Sequence, residues 1–212
     1  DVNQYMVYQP LVNYAAAGSY DEISAAIYFR NQWVGFEGAP VNYAMQVALP
    51  FDDVNSSFGI RLMRDQIGVV SSDVVSINYA YSFQLTSKSA LSFSLSPKFG
   101  FVQEKRTDLT TANDYDPLTN TNIQQNGLFN AEFGSYFFQD NFYVGAVIPN
   151  LLRNNIVGTN NVETYFSPKE TGWFVHSGYE WKTNRANHLN ASALVKSDLG
   201  SSLHAELNLL YQ

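Results

Sequence analysis

Residues 74–101 read VVSINYAYSFQLTSKSALSFSLSPKFGF, and apolar and polar side chains alternate along almost the whole stretch. Every second residue from Val75 to Leu85 is aliphatic or aromatic, and the same spacing returns from Leu91 to Phe101 with Pro97 as its one interruption. Successive side chains of a strand point to opposite faces, so this spacing predicts two strands that each carry one apolar face. The short connection between them, residues 86–89, predicts a tight turn.

The same period of two recurs through most of the chain and predicts about ten strands. We place them near residues 23–33, 42–50, 57–64, 75–85, 91–101, 129–137, 142–149, 172–182, 189–196 and 203–211. A polar, Tyr-rich lead, residues 1–22, precedes the first strand.

Composition separates two all-β classes that both alternate, a soluble sandwich or lipocalin-like barrel and a membrane barrel. The chain has 45% apolar and 15% aromatic residues but only 15% charged residues, whereas soluble domains have about 25%. The second face of the strands holds mostly Gly, Ala, Ser, Asn and Gln, which suits a barrel lumen better than a water-exposed sheet. The sequence therefore predicts one domain, residues 1–212, folded as a transmembrane antiparallel up-and-down β-barrel.

Charge and cysteine usage exclude several functions. The 212 residues include 12 Lys and Arg against 19 Asp and Glu, for a net charge of −7, so nucleic acid is not an expected partner. The absence of Cys excludes disulfides, thiolate zinc sites and Cys catalysis. We expect no cofactor.

Connection lengths predict an orientation, because outer-membrane barrels have short periplasmic turns and long external loops. A periplasmic lead would place residues 34–41, 65–72, 104–127 and 149–171 outside. Aromatic residues near the strand ends are then expected at the bilayer interfaces: Trp33, Tyr81, Phe101, Trp173, Trp181 and Tyr211. The tenth strand is followed by Gln212 and lacks the C-terminal aromatic residue of a typical outer-membrane β-signal. We therefore expect further strands beyond Gln212.

The sequence gives only weak indications of a metal-binding or catalytic site. His176 and His204 fall on the same predicted inward face, but neither has a ligand-like neighbour, which favours a polar lining over a metal site. Residues 113–116 offer oxygens to a cation without the Gly and closing Glu of an EF-hand loop, which favours a solvated loop. There is no G-x-S-x-G or H-E-x-x-H motif, and no catalytic residue is predicted.

Several long motifs resemble one family. They are QYM at Gln4–Met6, Pro10, Asn13, AAAGS at Ala15–Ser19, YFRNQWVGFEGAP at Tyr28–Pro40, DQIGVVSS at Asp65–Ser72, NYAYSFQLTSKSALSFSL at residues 78–95 and FYVGAVIPNLL at Phe142–Leu152. The chain resembles the PorP/SprF family of type IX secretion and gliding-associated membrane proteins of the Bacteroidota over nearly its whole length. The family's usual N-P-A-x-A-G reads NYAAAG at residues 13–18, without the Pro.

This resemblance implies a non-enzymatic, integral outer-membrane barrel of the type IX machinery. Its expected partners are a large secreted adhesin or its C-terminal domain, other secretion components and outer-membrane lipid.

Two functions remain open from the residues themselves. In an interaction barrel, the lead or the long external loops would bind a secreted protein. In a passive porin-like channel, lumen charges such as Arg61, Lys98, Glu132 and Glu206 would set selectivity. For the first function the candidate partner-binding residues are Arg30, Trp33, Asp114, Tyr115, Asp116, Tyr165 and Phe166.

Overall fold

The computed structural model describes residues 7–108, 121–152, 172–182, 188–197 and 203–211. These ranges contain ten strands in one sheet, and each strand pairs antiparallel with the next along the chain. The predicted up-and-down topology is confirmed. The strands are β1 (Ser24–Asn31), β2 (Val41–Phe51), β3 (Ser56–Ile67), β4 (Val70–Thr86), β5 (Ser89–Glu104), β6 (Ile123–Gln139), β7 (Phe142–Ile148), β8 (Trp173–Lys182), β9 (His188–Ser197) and β10 (Leu203–Tyr211).

The two faces of the sheet carry the side chains that the alternation predicts. On β4, Ile77 of the outward face is 56% exposed, whereas its neighbour Asn78 on the inner face is fully buried. The outward face is also apolar on the flanking strands, with Ile60 on β3 and Leu95 on β5 both at least half exposed. A wide apolar face of this kind suits hydrocarbon rather than water.

Side chains that meet across the inner face show that the sheet curls strongly. Arg61 on β3 and Glu132 on β6 are three strand spacings apart, about 14 Å in a flat sheet. Their Nη2 and Oε2 atoms are nevertheless 2.8 Å apart. The inner face is therefore concave, and it encloses a polar interior. Within the described residues β1 and β10 form the two ends of the sheet, and no ladder joins them.

Consecutive strands meet at two ends of the sheet. At the loop end β1, β3, β5, β7 and β9 finish and β2, β4, β6, β8 and β10 begin, with residues 32–40 and 68–69 among the connections; at the turn end the connections include residues 52–55, 87–88 and 140–141. Long connections thus share one end, as predicted. The chain enters β1 from the turn end.

Several boundaries differ from the prediction. β6 begins at Ile123 rather than near residue 129, so the end of the predicted loop 104–127 belongs to a strand that pairs with β5. Residues 65–72 were expected to form a loop, but β3 continues to Ile67 and β4 starts at Val70, with Gly68 at φ +57° in the turn. Polar residues here occupy paired strand positions, such as Asp65 opposite Ser72, because the strands extend past the apolar band. The first strand was expected to reach residue 33 but ends at Asn31, since Trp33 has φ +51°, which no strand residue adopts.

No helix among the described residues is both long enough and apolar enough to cross a bilayer.

Candidate functional site

The interior of the curled sheet holds part of the chain's own N-terminal lead. Residues 9–19, here called the inner segment, contain two short 3-10 helices, Gln9–Leu11 and Tyr14–Ser19. Asn13, Tyr14, Ala15 and Ala16 have no exposed surface. The second helix contacts every strand from β2 to β6. The lead was expected as a polar, Tyr-rich periplasmic segment and as one possible contact for a secreted protein; its residues 9–19 lie inside the curled sheet.

Asn13 attaches the inner segment to β6 and β8. Its Oδ1 accepts a hydrogen bond from Ala15 N at 3.1 Å, which caps the second helix. Its Nδ2 donates to Ser135 O on β6 and to His176 Nε2 on β8, both at 3.0 Å. Nε2 can accept this bond only if it is unprotonated, so the imidazole must be neutral with its hydrogen on Nδ1. One amide thus satisfies groups on three separate segments.

Two glycines make room for Asn13. A Cβ at Gly134 on β6 would lie 2.4 Å from Asn13 Oδ1, and a Cβ at Gly145 on β7 would lie 2.5 Å from Asn13 Nδ2. Both distances are far shorter than non-bonded atoms allow, so any larger side chain would displace the amide. Gly134 and Gly145 therefore leave the space on β6 and β7 that the Asn13 side chain occupies.

The inner face of the sheet also binds the backbone of the inner segment. Side chains on β2, β3 and β4 donate hydrogen bonds to three of its carbonyl oxygens. The donors are Gln46 Nε2 to Pro10 O at 2.8 Å, Arg61 Nη1 to Leu11 O at 2.9 Å and Ser82 Oγ to Gly18 O at 3.1 Å. Tyr136 on β6 donates to Gln9 Oε1. These bonds satisfy carbonyls that would otherwise be buried without partners.

Small residues in the inner segment follow from the close approach of its backbone to the wall. A Cβ at Gly18 would lie 2.0 Å from Ser82 Oγ and 2.6 Å from Ser92 Oγ. Ala17 packs with Ala48 and Ala80 in one buried cluster. The small residues of the AAAGS motif, Ala15–Ser19, are therefore required because the segment packs closely against the strands.

Tyr14 anchors the segment on the opposite side from Asn13. Its hydroxyl lies 3.2 Å from Ser57 Oγ on β3. Burial raises the pKa of Tyr14 to about 12, so the phenol stays neutral and keeps its hydrogen at any physiological pH. With Asn13 bonded to β8 and Tyr14 to β3, the segment bridges five strand spacings.

A buried ion pair lies beside the inner segment. Arg61 and Glu132 have side chains only 5% and 7% exposed. Because Arg61 also donates to Leu11 O, the pair connects the segment to β6. Arg61 and Glu132, two of the four charges expected to line an open channel, are therefore engaged in structure.

Lys98 and Asn130 position the start of the long connection after β7. Lys98 Nζ donates to Pro149 O. The Asn130 amide both donates to Leu152 O and accepts from Leu152 N, each at 3.1 Å. Lys98 and Asn130 are directly opposite each other on the inner face of β5 and β6. Residues 149–152 are thus held against that face at the loop end.

The predicted partner-binding residues are only partly described. Arg30 lies on β1 opposite Asn42, and Trp33 lies in the following connection with 72% of its surface exposed. Both are at the loop end. The other candidates lie outside the described residues: Asp114, Tyr115, Asp116, Tyr165 and Phe166.

His176 and His204 are not brought together as a site. His176 is fully buried and bonded to Asn13, whereas His204 lies on β10 opposite Lys196. Across the ranges that the structure describes, no group of three His, Asp or Glu side chains could hold a metal ion. The segment 113–116, weighed above for a cation, lies outside those ranges.

An antiparallel, curled sheet with an apolar outward face and a polar, occupied interior defines a membrane protein of the β-barrel class. The family model of the type IX secretion system membrane protein PorP/SprF matches residues 1–212, and the chain belongs to this family. The resemblance drawn from the sequence motifs is confirmed. No curated protein matches the chain.

Proposed function

We propose that this type IX secretion membrane component is a non-enzymatic outer-membrane barrel that binds or anchors a secreted surface protein through that protein's C-terminal domain. The occupied interior carries the proposal. The inner segment bonds to β2, β3, β4, β6 and β8, and two of the four charges suited to a selectivity lining, Arg61 and Glu132, are used for structure. A barrel filled in this way is better suited to holding a partner than to passing solutes.

We place the partner at the loop end, which would face the outside of the cell. Arg30 and Trp33 are at this end, and the connections that contain Asp114, Tyr115, Asp116, Tyr165 and Phe166 start and finish there. Long connections carried on a rigid sheet are where binding residues concentrate. Other type IX components and outer-membrane lipid are the remaining proposed partners.

The proposal is tested on the full-length protein extracted from native outer membranes in mild detergent. We expect a large secreted protein, or its C-terminal domain, to co-purify and to be identified by mass spectrometry. The same preparation in planar bilayers should show no open-channel current steps. Recovery of the folded barrel alone, together with regular conductance steps, would contradict the proposal and favour the porin-like channel.

A further inference from the structure

His176 on β8 is a titratable residue that bonds directly to the inner segment. Its Nε2 accepts a hydrogen bond from Asn13 Nδ2 at 3.0 Å, and the residue has no exposed surface. The other two histidines lie elsewhere: His188 Nδ1 is 2.9 Å from Glu180 Oε1, and His204 is exposed on β10. Histidine is the side chain whose ordinary charge change falls between about pH 5 and 8. A moderate change of pH therefore acts on a group that holds the inner segment.

Two backbone groups fix the orientation of the Asn13 amide. Its Oδ1 accepts from Ala15 N at 3.1 Å, and its Nδ2 donates to Ser135 O at 3.0 Å. A backbone N–H can only donate and a carbonyl oxygen can only accept, so turning the amide over would break both bonds. Asn13 therefore presents a donor to His176 and cannot become an acceptor while the inner segment stays in place.

Protonation of His176 is incompatible with this contact. An imidazolium carries hydrogen on both ring nitrogens, so its Nε2–H would point at the hydrogens of the Asn13 amide. The two side chains have little space in which to separate. A Cβ at Gly145 would lie 2.3 Å from His176 Nε2 and 2.5 Å from Asn13 Nδ2, because both side chains pack against the β7 backbone. A proton on Nε2 therefore requires the inner segment to move.

The groups that face His176 within the described residues are uncharged. The rings of Tyr136 on β6 and Tyr143 on β7 lie 5.9 and 5.7 Å from the imidazole, centroid to centroid, and Leu194 is opposite on β9. Phenols are neutral at neutral and acidic pH, and residues 9–19 include no charged residue. None of these groups would stabilise an imidazolium through an opposite charge.

Charged groups farther along the packed strands have partners of their own. Glu206 on β10 is in the same row of the sheet as His176, but two strand spacings, about 10 Å in a flat sheet, separate them. The carboxylates of β6, β8 and β10 on the inner face form three pairs: Glu132 with Arg61, Glu180 with His188 and Glu206 with Lys196. An imidazolium at His176 would thus be stabilised only if the inner segment moved aside and let water reach it.

We propose that the Asn13–His176 contact is a pH-sensitive latch: protonation of His176 releases the inner segment from the barrel interior, and neutral pH restores it. The docked state accepts only the neutral imidazole, whereas the released state accepts a proton, so acid shifts the population toward release. Because one proton is taken up per release, the released fraction grows by at most about tenfold per pH unit. This inference stands apart from the proposed function, since it concerns the interior and not the partner.

The test compares two single thiols in the full-length protein in native outer membranes. Ala17→Cys places a thiol where the docked segment is 1% exposed, and Val54→Cys places the reference thiol where the chain is 56% exposed. The ratio of the two rates cancels the effect of pH on thiol chemistry, and a pyridyl disulfide is the probe because it reacts in acid and at neutral pH. We expect the ratio of the Ala17→Cys rate to the Val54→Cys rate to be about thirtyfold higher at about pH 5 than at about pH 8, and to fall again on return.

Two substitutions, each made in both thiol backgrounds, separate His176 from the other histidines. His176→Gln keeps an acceptor oxygen for Asn13 but does not titrate, so its ratio should not change with pH. His204→Gln is the matched control, because His204 is exposed on β10, and it should keep the full response. A full response in His176→Gln, or no response with His176 in place, would overturn the latch.

A second measurement needs no change at His176. Nuclear magnetic resonance of the ring nitrogens in isotopically labelled histidine distinguishes the neutral tautomers from imidazolium, and the variants His188→Gln and His204→Gln assign the remaining signal. We expect His176 to carry its hydrogen on Nδ1 at neutral pH, and its imidazolium signal to grow over the same pH range as the thiol ratio. An imidazolium at His176 while Ala17→Cys stays protected would overturn the latch.

Discussion

Glu132→Ala is expected to destabilise the barrel by about 3–5 kcal/mol, the cost of leaving a buried charge without its partner. The Arg61 guanidinium would remain 5% exposed and would keep only its bond to Leu11 O. We expect the midpoint of urea unfolding in detergent micelles, followed by far-UV circular dichroism, to fall sharply. Since Arg61 also holds the inner segment, the loss should extend to the segment's attachment.

Two further variants test whether the unpaired charge is the cause. Replacing both partners, with Arg61→Met and Glu132→Leu, removes the buried charge and should recover much of the lost stability. Asp73→Ala breaks the exposed pair with Arg64, 3.6 Å apart, and should cost no more than about 1 kcal/mol. A Glu132→Ala protein as stable as the Asp73→Ala protein would show that the buried pair does not hold the sheet in its curled form.

Asn13→Ala is expected to release the inner segment and to convert a silent protein into a conducting one. The substitution leaves Ala15 N, Ser135 O and His176 Nε2 without the partners they have now. Each buried polar group left unpaired costs about 1–3 kcal/mol, so the inner segment is held less firmly in the interior. Planar bilayer recordings should therefore show current steps that the unmodified protein lacks.

Val12→Ala serves as the control, because Val12 is the neighbouring residue, is only half-buried and has a side chain without hydrogen-bonding groups. It should stay silent in the same bilayers. If Asn13→Ala is also silent and unfolds at the unmodified midpoint, Asn13 does not attach the segment, and the inner segment is held by other contacts.

The strands and their faces could be predicted because the face of a strand residue depends only on its position in a local alternation. Ile77 and Asn78 follow this pattern, and so does β5 up to Phe101. Where the strands run beyond the apolar band, the pattern fades. Polar residues around Gly68 therefore suggested a loop, although backbone pairing continues to a two-residue turn.

The inner segment could not be predicted because its contacts are distant in sequence. Asn13 meets Ser135 and His176, which lie 122 and 163 residues away. Its local sequence, an Asn two residues before the small residues Ala15–Ser19, indicates a capped turn but does not indicate where that turn docks. The ion pair between Arg61 and Glu132 was hidden for the same reason, since each residue was recognised only as an isolated inward charge.

The predicted partner-binding residues that the structure describes lie at the loop end. Arg30 and Trp33 were chosen for their residue types, and the structure adds that Trp33 belongs to a hydrogen-bonded loop with Val34 and Phe36. Exposure of Val34 and Phe36 depends on how that loop turns, which Gly35 and Gly38 determine through their positive φ angles. The two glycines in the sequence VGFEG, residues 34–38, indicate this turn.

The central claim is that the inner segment occupies the barrel interior, and cysteine labelling measures this directly. The chain has no cysteine, so Ala17→Cys and Val54→Cys each carry a single thiol. Ala17 is 1% exposed and Val54 is 56% exposed. In native outer membranes made permeable to a maleimide, Val54→Cys should react promptly, whereas Ala17→Cys should react only after denaturation. Equal rates for the two thiols in the folded protein would contradict the account.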